Sequence, residues 1–136
     1  MIAIAIATLL SGTAIAHEVT VEHRGKRYDV AHRARVETRV KTVGAATGSK
    51  PGIQRCRWTS TVRVERTIAR GGAGAATLLP GARTIEGDRY GACAGGAAAV
   101  QDARIDDAAA EMVAAARADQ AATLAAIDAA HGLAAN

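Results

Sequence analysis

Three histidines near the front of the chain, His17, His23 and His32, offer the most chemistry. A histidine at a newly exposed N-terminus presents an amine and an imidazole together. That chelate suits copper, with a third nitrogen from His23 or His32. His17 and His23 share strand parity with Val19 and Val21. At about 6.6 Å for every two strand residues they would stand about 20 Å apart. Only a curled N-terminus would bring His17 to a metal, so no metal and no cofactor are expected. His17-Glu18 is not a zinc helix motif either, because the second histidine is missing at the needed spacing.

The chain has two cysteines, Cys56 and Cys93, so one intramolecular pairing exists. A nucleophilic cysteine would need a positioned base and a lowered pKa, and no spacing supplies them. Beyond residue 16 the serines are Ser49 and Ser60, one in a loop and one inside a strand. Neither sits in a nucleophile elbow. Asp102, Asp106 and Asp107 fall where a helix begins, so they read as partners of its dipole and not as acid or base catalysts. Gly71-Gly72-Ala73-Gly74 lacks the Lys-Ser/Thr ending of a phosphate loop. No catalytic residue is predicted, and the chain reads as non-enzymatic.

Cationic side chains carry the strongest functional hint. Arg33, Arg35, Arg39, Lys41, Arg55, Arg57 and Arg63 alternate with apolar and small residues over two segments. As strands, these segments place all seven on one surface, tempered by Glu37 and Glu65. Such a surface suits an anionic envelope component or an acidic protein, and guanidinium groups add bidentate contacts. Nucleic acid is not expected, since aromatic residues for base stacking are scarce. An inhibitor of a secreted enzyme and a small metal-dependent enzyme using His17 are the other readings.

The elements that must position these residues follow from periodicity. Val19 and Val21 alternate with polar residues, Arg24-Gly25-Lys26 reads as a tight turn, and Tyr28 and Val30 resume the pattern. Residues 33–42 and 55–65 form two long half-buried strands, joined by a loop at residues 44–52. Cys56 shares its face with Trp58, Ser60, Val62 and Val64. If that face is buried, the disulfide lies beside the only tryptophan. Residues 70–96 are rich in glycine and read as a mobile connection, with a short strand around Pro80-Gly81. From Ala97 to His131 there is no proline or glycine, and the Ala-rich segment reads as one amphipathic helix about 45 Å long. Ile105, Ala109, Met112, Val113, Ala116, Thr123, Leu124 and Ile127 form its apolar face. That length exceeds a small sheet, so the helix must overhang, bend or pair with a second copy.

Length and composition bound these readings. The 136 residues suit one small domain, and 35 alanines with no phenylalanine leave a thin core. Large multidomain enzymes and aromatic-lined carbohydrate grooves are excluded. Residues 17–95 hold 15 Lys/Arg against 7 Asp/Glu, and residues 96–136 hold 2 against 6, so a basic front precedes an acidic tail. Residues 1–16 carry no charged side chain and end in Ala14-Ile15-Ala16, which predicts a secretory signal cleaved between Ala16 and His17. This stretch is too short to span a bilayer. The expected protein is periplasmic or secreted. Its fold is α+β: residues 17–136 form one domain, with basic strands at 17–69, the glycine-rich connection at 70–96 and an acidic helix at 97–131. An antiparallel meander of three to five strands packs on that helix and is pinned by Cys56–Cys93.

Overall fold

Arg24 and Gly25 both adopt positive φ, 51° and 74°. Two such residues in succession make the mirror-image turn whose twist matches a hairpin. In the computed structural model, which describes residues 12–44 and 53–134, this turn joins β1 (Gly12–His23) to β2 (Lys26–Val43). β2 pairs antiparallel with β3 (Arg55–Arg70), from Asp29 opposite Ala69 to Val43 opposite Arg55. The loop expected to join them falls at residues 45–52, outside the described residues. Five antiparallel strands form the sheet, and the fold is α+β.

The glycine-rich stretch departs from expectation. Gly71 and Gly72, at φ 62° and 84°, form a second two-residue hairpin turn. It feeds β4 (Ala73–Leu78), which pairs with the end of β3, and β5 (Arg83–Tyr90) then pairs with its beginning. β4 and β5 thus follow one edge of β3, interrupted at residues 79–82, where Leu79 N–H donates to the Val64 carbonyl at 2.8 Å. Residues 73–78 and 83–90 of what composition marked as a connection form a sheet edge, because glycine can occupy a strand when its neighbour needs the space. Gly87 lies opposite Trp58 in register. A Cβ there would stand 2.2 Å from Trp58 Cζ2, so only glycine admits the indole.

Both helices cover one face of the sheet. The long helix expected over 97–131 is in fact two, α1 (Ala103–Ala118) and α2 (Gln120–Ala134). The break has a chemical cause at Asp119, whose side chain accepts from Ala122 N–H at 3.0 Å. Its carbonyl accepts from both the amide and the hydroxyl of Thr123 at 3.3 Å. Asp119 therefore caps a new helix where helix propensity alone favours continuation. Of the three outcomes for an overlong helix, the chain takes the bend.

The bend divides the covered face into two apolar clusters. Beneath α1, Ile105, Ala109 and Val113 pack on Ala34, Trp58, Val62, Val64 and Ile85. Beneath α2, Ile127 packs on Tyr28 and Val30, with Ile68 and Leu124 alongside. Cys56 is fully buried and bonded to Cys93, which ties the chain leaving β5 to the start of β3. Cys93 N–H also donates to Thr42 Oγ1 at 3.0 Å. Among the described residues no helix is long and apolar enough to cross a membrane.

Candidate functional site

Strand alternation puts all seven predicted cations on the face away from the helices. Register places Lys41 directly opposite Arg57, and Arg35 directly opposite Arg63. Like charges directly opposed across strands are destabilising unless something compensates. Compensation here is partial. Arg35 pairs with Glu65 at 2.9 Å, Arg39 with Glu37 at 2.8 Å, and Arg55 with Asp88 at 3.0 Å. Arg55 also lies over the exposed Tyr90 ring, 4.8 Å from its centroid. Arg33, Lys41, Arg57 and Arg63 have no ion pair among the described residues. β5 adds Glu86 opposite Thr59 and Asp88 opposite Arg57, acids that a reading of 70–96 as a connection did not place here. The surface is therefore less basic than its two central strands imply.

A second cluster lies on the covered face, and the sequence reading missed most of it. His17 stands directly opposite His32 in the β1–β2 ladder, and His32 directly opposite Arg66 in the β2–β3 ladder. The three form a row across the sheet. It crosses the gap between the two apolar clusters, beneath the helix break. Arg117, from the last turn of α1, joins His17 and His32 in lining a cavity of about 660 Å³. Val19, Val21, Val30 and Leu124 give that cavity an apolar wall, and Val19 remains 45% exposed there.

The electrostatics of this row are unbalanced. His32 is only 2% exposed, yet neither ring nitrogen has a hydrogen-bond partner. Arg66 Nε is buried and unpartnered beside it. Neither Arg66 nor Arg117 makes an ion pair among the described residues. Burial first, and then the positive charges of Arg66, His17 and Arg117, push the His32 pKa below the ordinary histidine value. Among the described residues no carboxylate forms an ion pair with Arg66 or Arg117. Asp119, at the bend, is engaged as a helix cap, and Glu22, on the cavity wall, is held by Arg27 at 3.4 Å. By contrast, the other polar pair on the covered face is satisfied: Thr38 Oγ1 and Ser60 Oγ share a hydrogen bond of 2.7 Å.

The three histidines do not converge. His23 lies at the hairpin end, where Nε2 contacts Asp128 Oδ1 at 2.9 Å and Arg24 joins at 3.1 Å. His17 and His32 do meet, but two arginines accompany them, a poor setting for a cation. Among the described residues no group of three histidine, cysteine or acidic side chains could hold a metal ion. Asp102 caps α1 by accepting from Arg104 N–H at 2.9 Å. The hydrogen bonds and charge of Arg104 hold its carboxyl below the usual range. Asp106 and Asp107 are exposed.

No protein-family model, no curated protein and no solved structure matches this chain.

Proposed function

We propose that this chain is an exported, non-enzymatic binding protein that uses its open sheet face on an anionic envelope partner. The observation that carries this reading is the pair of like-charge oppositions, Arg35 with Arg63 and Lys41 with Arg57. Cross-strand repulsion costs stability, and an anion bridging such a pair would recover it. The seven cations Arg33, Arg35, Arg39, Lys41, Arg55, Arg57 and Arg63 supply the surface, with Arg33, Lys41, Arg57 and Arg63 as the uncompensated ones.

Export and cleavage between Ala16 and His17 belong to the same proposal. A disulfide supports an oxidising compartment. The β1–β2 ladder is regular from Ala16 onward and shifts register between Thr13 and Ala16. Removal of residues 1–16 would thus leave the regular hairpin intact.

The test is cosedimentation of the secreted protein with phosphatidylglycerol vesicles and, separately, with isolated cell-wall sacculi. Wild type should bind one of these at low salt and release as ionic strength rises. The triple variant Arg35→Glu, Arg57→Glu, Arg63→Glu should lose that binding while still unfolding in one cooperative transition above the assay temperature. Binding that survives charge reversal, or that ignores salt, would sink the proposal.

A further inference from the structure

The buried row beneath the helix bend has no role in the function proposed above. Unsatisfied polar groups are costly inside a protein, and each one that persists needs a reason, a bound group among them. Here they come together: both nitrogens of His32 and Nε of Arg66 lie on adjacent strands. The cavity that His32 faces is lined by two further basic side chains, His17 and Arg117. Val19, Val21, Val30, Ala114, Ala118 and Leu124 give it an apolar side, and Thr20, Glu22, Gln120 and Thr123 complete its polar side. A cavity of about 660 Å³ is within the range of small-molecule sites.

The sign of the missing charge follows from the residues. His17, Arg66 and Arg117 all raise the positive potential at His32. A water molecule would satisfy the imidazole and leave that potential uncompensated. An anion would do both. A metal cation would add to the repulsion. The apolar wall, in turn, has no use for a bare inorganic ion. Val19, Val21, Val30 and Leu124 offer contact for several methylene groups, whose burial favours binding.

We propose that this cavity binds a small anionic amphiphile, its oxyanion headgroup against His32, His17 and Arg117 and its hydrocarbon chain along Val19, Val21, Val30 and Leu124. The headgroup is a carboxylate or a phosphate monoester. Either accepts from the imidazole and the guanidinium, and either carries the charge the row lacks. Gln120, at the first turn of α2, stands on the same wall and adds a neutral donor. Cleavage before His17 would place an α-ammonium group beside the same row.

Titration calorimetry with octanoate, octyl phosphate, inorganic phosphate and octylamine tests this on the secreted protein. The two anionic amphiphiles should saturate one site, and the tighter of them names the headgroup. Octylamine binding as tightly as octanoate would overturn the proposal, because the apolar wall would then act alone. Inorganic phosphate matching octyl phosphate would overturn the amphiphile, and no saturable binding would overturn the site. Arg117→Ala lies on an exposed helix position and should fold, weakening octanoate about tenfold, the loss of one charge-assisted contact. His32→Gln keeps a donor and an acceptor, and should bind more tightly than His32→Phe. The open-face triple variant should bind octanoate like wild type, which separates this site from the function proposed above. Binding should also strengthen as pH falls and His32 gains its proton, against the charges of His17, Glu22, Arg66 and Arg117 around it.

Discussion

The two faces of the sheet treat positive charge in opposite ways. On the open face, of six arginines and Lys41, three arginines have carboxylate partners within about 3 Å, and the other four side chains make no ion pair among the described residues. On the covered face, Arg66 and His32 lie among apolar side chains with buried nitrogens unpartnered. The same residue types cost little in the first setting and much in the second, because water screens the one and is excluded from the other. An exposed basic surface is thus compatible with no function at all, whereas a buried, unpartnered His32 beside the half-buried Arg66 calls for an explanation. Large effects are expected where burial is complete, and small ones where water screens.

The largest effect should come from the disulfide. Replacing Cys56 and Cys93 together by alanine removes a cross-link of 37-residue separation. The chain-entropy model gives a loss of about 4 kcal/mol. Urea titration of the double variant checks it, and a midpoint unchanged from wild type would show that α1 and the Trp58 cluster need no staple. Next comes Gly87→Ala, which forces a methyl group against the Trp58 ring and should cost about 1–3 kcal/mol. A thermal melt followed by tryptophan fluorescence reads both the loss and the displaced indole.

His32 sharpens the comparison through pH. An unfolded histidine titrates near 6.5, and folded His32 titrates below that. Between these values the unfolded chain holds more protons, so stability falls as pH drops through that window. Above about pH 6.5 His32 contributes no slope. Melting temperatures of wild type and His32→Phe, measured from neutral pH downward, should diverge only on the acid side. The phenylalanine variant also removes two orphaned nitrogens, and should be no less stable at neutral pH. Parallel curves would place His32 in a solvated setting and erase the difference between the faces. Arg63→Ala on the open face, which breaks no ion pair among the described residues, should shift stability least in a urea titration, within about 0.5 kcal/mol, as expected for a substitution in water.

Some of the buried row was legible and went unread. A two-residue turn at Arg24-Gly25 places His23 opposite Lys26, and counting back along the ladder puts His17 opposite His32. Along one strand His17 and His23 are far apart, and only across the hairpin does His17 come opposite His32. Arg66 was also visible as a charged residue at the parity of Cys56, Trp58, Val62 and Val64. Arg117 was not, since an arginine in an Ala-rich helix gives no sign of what lies below it. The acids Glu86 and Asp88 were hidden for another reason. Glycine composition masked β5, whose Gly87 is there for Trp58 and not for flexibility.

By itself, the sequence determined the two central strands, their buried and exposed parities and the tight first turn. It also named the only available disulfide. All of these depend on neighbours a few residues away or on a count of two cysteines. Only the tertiary structure decided that the C-terminal segment bends at Asp119. There a local cap competes with helix propensity, and burial of Ile127 on Tyr28 and Val30 tips the balance. Only the tertiary structure set Arg117 over His17 and His32, because that meeting joins three elements whose separation along the chain carries no periodic signal.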